Sequence, residues 1–261
     1  MNDSSQMVEL GITRLLESER DILDGVRVGL IVNSASTDEG GIPTASLLIN
    51  AGIDLECLFS PEHGYHAEAE AGQRVSDSSD PNTGLPVHSL YYETRQPTAE
   101  MLADVDAIVF DLQDTGVRCY TYIWTMALAM QSAALFGRLF VVLDRPNPIG
   151  GLIVQGPVLD PRFATFLGMY PIPLRHAMTI GELALMFNRS FEIGADLAVI
   201  RMQGWRRRLW FADTGLQWRA PSPAIRSPEC ALLYAGTCLF EGTNISEGRG
   251  TSSPFCLIGA P

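Results

Sequence analysis

Residues 55–64, LECLFSPEHG, form an apolar run that breaks at Pro61 into a carboxylate, an imidazole and a glycine. An apolar run that stops at Pro and Gly reads as a buried strand ending in a loop, so Glu62 and His63 are expected at a strand's carboxyl end. Open α/β sheets hold their ligands along that edge.

Similar strands flank it. Residues 26–33 (VRVGLIVN), 107–113 (AIVFDLQ) and 138–144 (RLFVVLD) are nearly continuous apolar runs, too short for buried helices, as central parallel strands are. Helical stretches alternate with them. Residues 7–24 carry leucines and acids at helical spacing, Pro43 opens TASLLINAG with Gly52 as its stop, Pro97 opens TAEML, and 120–136 is rich in Ala, Met and Leu. Strand and helix in regular alternation predict a doubly wound α/β domain with a parallel sheet covered on both faces. Residues 66–92 are expected to form a long loop around a short strand at PVHSLY, and long loops in compact domains are usually functional or disordered.

After Gly151 the pattern loosens. Four prolines (Pro157, Pro161, Pro171, Pro173) punctuate a linker-like stretch, Thr179 to Glu182 reads as a capping box, and 197–202 reads as a further strand. The expected division is a Rossmann-like α/β domain over 1–160 and a smaller α+β domain over 161–261.

Composition narrows the function. The chain has 261 residues, 46% apolar and 18% charged, and no run reaches the roughly 18 apolar residues of a membrane helix. A formal charge of −12 disfavours a nucleic-acid partner. Five cysteines without close spacing (Cys57, Cys119, Cys230, Cys238, Cys256) suggest neither a disulfide framework nor a zinc knuckle. Residues 1–11 show no basic and apolar leader, which makes the cytoplasm the default expectation. With no G-x-G-x-x-G and no Walker lysine motif, no nucleotide cofactor is expected, and His63, His66 and Glu62 alone make a weak case for a metal.

The four strand ends deliver Asn33, then Glu62 with His63, then Asp111, Gln113 and Asp114, then Asp144, Arg145 and Asn147. Polar residues there also cap helices and turn chains. Glu62 is the sharpest candidate, because glutamate is a poor turn former and a carboxyl in a partly closed cleft can serve as a general acid. The glycine-rich EGTNISEGRGT reads either as a tight turn or as an anion cradle around Arg249.

Seven blocks in order, FSPEHG, TGLPVHSLY, FDLQDTGVRCYTY, LDRPNPIGG, GPVLDPRF, PIPLRHAMTIGELA and the final LLYAGTCLFEGTNISEGRGTSSPFCLIGAP, resemble the exo-β-N-acetylmuramidase family. The resemblance runs from about Leu10 to the last residue. It implies a Rossmann-type domain joined to a smaller C-terminal domain, a cleft between them, and a glycoside hydrolase releasing N-acetylmuramic acid from the non-reducing end of peptidoglycan fragments. The catalytic glutamate proposed for the family falls on Glu62. Relatives continue past the segment that closes this chain, so the second domain is expected to be incomplete. Relatives also more often carry Gly and a basic residue where this chain reads Tyr65-His66-Ala67-Glu68.

Glycoside hydrolysis usually needs two carboxyl groups. With Glu62 as the acid, Asp111, Asp114, Asp144 and Glu241 compete for the second role, unless the substrate's own acetamido group is the nucleophile. The lactyl carboxylate of muramic acid calls for planar cationic donors, for which Arg118 and Arg145 are candidates. His63, Tyr120, Tyr122, Asn147, Asn244 and Arg249 complete the expected substrate contacts. Two other readings stand beside this one: a non-catalytic muropeptide-binding protein, and a metal-dependent hydrolase using Glu62, His63 and Asp111.

Overall fold

The computed structural model describes residues 7–261, so the first part of the segment read for a leader lies outside them. Helical turns come first: α1 (Gly11–Arg14) runs on into a wider turn over Leu15–Glu19 and a tighter one over Arg20–Leu23. There follow β1 (Arg27–Ile31), α2 (Thr44–Asn50), β2 (Asp54–Ser60), a two-residue β3 (Ser78–Ser79), β4 (Pro86–Ser89) and β5 (Ala107–Phe110). The chain continues through α3 (Tyr122–Phe136), β6 (Leu139–Leu143), β7 (Gln155–Val158), β8 (Pro173–Arg175), α4 (Ile180–Ser190), β9 (Asp196–Ile200) and α5 (Pro228–Thr237).

Seven strands make one sheet in the order β3-β4-β2-β1-β5-β6-β9, parallel throughout except for β3 against β4. From β1 the chain moves outward through β2 and β4, then returns to place β5 on the other side of β1. That switch point is where such sheets open a crevice. Alternate residues feed two apolar cores. Leu30, Leu58, Val109 and Val141 pack with α1 and α2, and Ile31, Phe59, Phe110 and Phe140 pack with α3 and α4. Burial on both faces is why the strands read as unbroken apolar runs.

Local signals act as expected. The Thr179 hydroxyl accepts from Glu182 N (3.2 Å) while the Glu182 carboxylate accepts from Thr179 N (3.1 Å), the reciprocal box that starts α4. Gly137, at φ +62°, ends α3 with the Arg138 N–H on the Ala133 carbonyl at 2.8 Å.

One expectation needs correction. TAEML after Pro97 is a run of turns, in which Leu102 N on Thr98 O is followed by the tighter bonds of Ala103 N on Glu100 O and Val105 N on Leu102 O. The chain enters β5 too soon for a helix to propagate. Beyond residue 160 the chain returns to the same sheet, where β9 pairs in register with β6 along its whole length. Residues 224–255 also pack on the α3 side, where Ile225, Ala231, Tyr234, Cys238 and Phe255 extend the core around Trp124. Among the described residues, no helix is long and apolar enough to cross a membrane.

Candidate active site

At the carboxyl end of β2 the chain turns sharply. His63 and Gly64 are both left-handed, at φ +72° and +76°. Such a conformation at a non-glycine residue costs free energy and persists only where the surroundings enforce it. Here the enforcing contacts are Gly64 N on Pro61 O, Ala69 N on His63 O, and the His63 ring itself, whose Nδ1 donates to the Ala69 carbonyl at 2.7 Å. Burial lowers the His63 pKa, which favours the neutral ring. The unusual Tyr65-His66-Ala67 stretch is accommodated by Ser34, whose N–H and hydroxyl reach the Tyr65 and His66 carbonyls, and by a left-handed Ala67 at φ +56°.

This turn presents Glu62, 8% exposed, to a cavity of about 510 Å³. Its Oε2 accepts the Thr121 hydroxyl at 2.7 Å and its Oε1 accepts Gly72 N at 3.2 Å. Thr121 occupies the N-cap of α3, yet its side chain makes no cap bond to the helix and serves Glu62 instead. Tyr91, just past β4, also lines the cavity, and burial together with the nearby Glu62 charge pushes its phenol up to about 12. The Tyr122 hydroxyl donates to the Pro221 carbonyl at 2.6 Å and accepts from the Asn33 amide at 3.0 Å. That link fastens the 221–225 loop, another part of the cavity lining, to the sheet edge.

The remaining wall comes from the C-terminal residues. Arg249 pairs with Glu241 at 2.8 Å and Glu247 at 3.0 Å and lies over the Phe255 ring, 4.8 Å from its centroid. Tyr120 meets Tyr122 and Tyr234 edge to face, with centroids 4.7 and 6.1 Å away. Of the residues singled out in the sequence, Glu62, His63, Tyr120, Glu241 and Arg249 therefore share the cavity lining.

The others stand elsewhere. Asp111 is fully buried, its carboxylate gripped by the Arg145 guanidinium and by the Thr44 hydroxyl at 2.5 Å, while Arg145 also donates to the Thr37 carbonyl at 2.8 Å. Asp114 accepts Gly116 N at 2.7 Å and lies 3.2 Å from His176 Nε2. Asp144 takes Gly181 N at 2.8 Å and the Thr179 hydroxyl at 3.1 Å, and burial raises it to about 6. It borders a separate cavity with Glu182, Arg201 and Trp205. Arg118 spends its guanidinium on the Pro157 and Ile172 carbonyls, Asn147 bonds to Met178 O and Ile149 N within its turn, and Asn244 is exposed outside the cavity lining.

With Asp111 committed to Arg145, the metal donor set of Glu62, His63 and Asp111 is not assembled. Among the described residues no three His, Cys, Asp or Glu side chains cluster as metal ligands. Sequence reasoning missed Thr121, Tyr91 and Gly72. Thr121 precedes a helix and Tyr91 closes a strand, so position alone could have flagged both.

Comparison with known proteins adds the relationship. The N-terminal model of the exo-beta-N-acetylmuramidase NamZ matches residues 28–229, and the C-terminal model of the same family matches 232–261. The seam between them falls inside α5. The chain is 51% identical over 255 residues to the peptidoglycan beta-N-acetylmuramidase NamZ of Bacillus subtilis (strain 168), covering 97% of this chain and 62% of that protein. A crystal structure of a DUF1343 family protein from Bacteroides fragilis NCTC 9343 superposes with a TM-score of 0.87 at 41% identity, covering 97% of this chain and 65% of that one. A second DUF1343 protein from the same organism gives 0.81 at 32%, covering 96% and 66%. The chain thus spans just under two thirds of the length of each of these relatives. Matched by both models over nearly all of its sheet and cavity, it belongs to the exo-beta-N-acetylmuramidase NamZ family.

Proposed function

We propose that this chain is a glycosidase that releases N-acetylmuramic acid from the non-reducing end of peptidoglycan fragments, with Glu62 as the proton donor. The observation that carries the reading is the Glu62 carboxyl on the wall of the 510 Å³ cavity, held by Thr121 and Gly72. A fixed carboxyl at a sugar-sized cavity is what general acid catalysis needs, since a positioned proton transfer contributes on the order of 10²–10⁴ in rate. The activity in the name of the Bacillus relative supports the same reading.

Glu62 protonates the glycosidic oxygen as the bond to the anomeric carbon breaks. The electron deficiency at that carbon is met either by the substrate's acetamido oxygen or by the second cavity carboxyl. Glu241 is the candidate for the second role, because Asp111, Asp114 and Asp144 have other partners and lie outside the lining. Arg249 is the cavity's arginine and the candidate for the lactyl carboxylate, through two parallel N–H donors. A substrate carboxylate on Arg249 replaces Glu241 there and frees Glu241 for the sugar. Tyr120 and Tyr234 offer ring faces and edges to the pyranose. Residues 232–261 are proposed to begin the smaller second domain that completes the cleft.

The test is incubation with a disaccharide carrying N-acetylmuramic acid at its non-reducing end, alongside one with the two sugars reversed. Free N-acetylmuramic acid from the first and nothing from the second is expected. Binding of the first without turnover favours a sugar-binding protein and overturns the reading.

A further inference from the structure

Two of the cysteines that look scattered in the sequence meet in space. The Sγ atoms of Cys230 and Cys256 lie 3.1 Å apart, although 26 residues separate them. Cys230 sits in the first turn of α5, whose N-cap Ser227 accepts the Cys230 N–H at 3.2 Å. Cys256 is half-buried in the C-terminal segment, directly after Phe255.

The two thiols differ chemically. Burial alone raises Cys230, yet hydrogen bonds from Cys256 and Ser227 leave it below the ordinary thiol range; burial and the bond to Cys230 push Cys256 up to about 11. A thiol at a helix N-terminus beside donors is the more readily ionised member of such a pair.

We propose that Cys230 and Cys256 form an oxidisable dithiol site, which a peroxide converts to a disulfide that staples the second wall of the cavity. The Cys230 thiolate attacks one peroxide oxygen, the O–O bond breaks and the departing hydroxide takes up a proton to become water. The resulting sulfenic acid is then attacked at sulfur by the Cys256 thiolate, forming the S–S bond and releasing the second water. Two thiols and one hydrogen peroxide give one disulfide and two waters. Closing 3.1 Å to a bond of about 2.05 Å needs a movement of about 1 Å.

The placement gives the bond its consequence. The loop it closes contains Glu241, Glu247 and Arg249, and the residue beside Cys256 is Phe255, whose ring meets Tyr234 of α5 edge to face at 4.6 Å. Oxidation therefore fixes both ends of the segment that lines the cavity opposite in sequence to Glu62. A second thiol pair, Cys119 with Cys238, lies on the cavity wall itself and is the competing partner set.

The experiment treats the full chain with a few equivalents of hydrogen peroxide, blocks remaining thiols with N-ethylmaleimide, and maps peptides by mass spectrometry. A Cys230–Cys256 linked peptide, 2 Da lighter than the sum of its parts and lost on reduction, is expected. It should come with a rise in Tm of about 5–10 °C that dithiothreitol reverses. Cys256→Ser and, independently, Cys230→Ala should abolish both the peptide and the rise. Recovery of Cys230 and Cys256 each alkylated after oxidation overturns the proposal, as does a Cys119–Cys238 linkage in their place or a rise in Tm that survives Cys256→Ser.

Discussion

The sheet has two halves that look alike in sequence and behave differently in space. On the β2 and β4 side, strand ends release Glu62 and Tyr91 into a cavity. On the β5 and β6 side, strand ends of the same polar character hold Asp111, Asp114, Asp144, Arg145 and Asn147 in buried bonds among themselves and with the backbone. The difference is one of partners. Asp111 faces a guanidinium and a hydroxyl within the fold, whereas Glu62 receives two donors and keeps one side toward open space. Strand-end chemistry becomes a site only where the fold leaves it something to bind.

The largest effect expected from this contrast is on the buried half. Arg145→Ala leaves the Asp111 carboxylate buried without its cation, at a cost of about 3–5 kcal/mol. Urea unfolding should show that loss, and a variant as stable as wild type would remove Asp111 and Arg145 from the structural half. Next comes Asp144, raised to about 6 by burial. Because its folded pKa lies above the unfolded value near 3.9, the native state holds the proton more tightly, so this group's contribution to stability falls as pH rises between about 4 and 6. Relative to Asp144→Asn, wild type should lose about 2–3 kcal/mol across that window by unfolding at successive pH values.

Effects on the cavity half should appear in kinetics and spare stability. Thr121→Val removes a hydroxyl donor from a carboxyl, which is worth about 1.5–3 kcal/mol. The expected result is a fall in kcat of roughly tenfold or more, with Tm little changed. A drop in Tm with kcat intact would make Thr121 a folding residue. Smallest is Arg249→Met, expected to raise KM for a muramyl substrate about tenfold, or about 1.4 kcal/mol, and to leave the Kd of N-acetylglucosamine, which lacks the lactyl carboxylate, unchanged. Equal losses on both sugars would deny Arg249 its role at the lactyl carboxylate.

Much of the parallel sheet was legible because both of its faces are buried, which leaves runs such as VRVGLIVN almost free of polar residues. The addition of β9 to the same sheet was not, since DLAVI follows a proline-rich stretch and only pairing with β6 reveals where it belongs. Glu62 was legible from the break at Pro61. Thr121 was hidden by a position that normally caps a helix, and the fate of Asp111 depended on Arg145, 34 residues away. The approach of Cys230 to Cys256 leaves no trace in spacing at all.

The most direct measurement is the kcat of wild type and Glu62→Gln on two N-acetylmuramides, one with a sugar as the leaving group and one with a nitrophenolate. A proton donor matters most when the leaving oxygen is basic. The predicted result is a loss on the order of 10² or more with the sugar and a much smaller one with the nitrophenolate, in a variant whose Tm is unchanged. Equal losses on both substrates, or none on either, would contradict Glu62 as the acid.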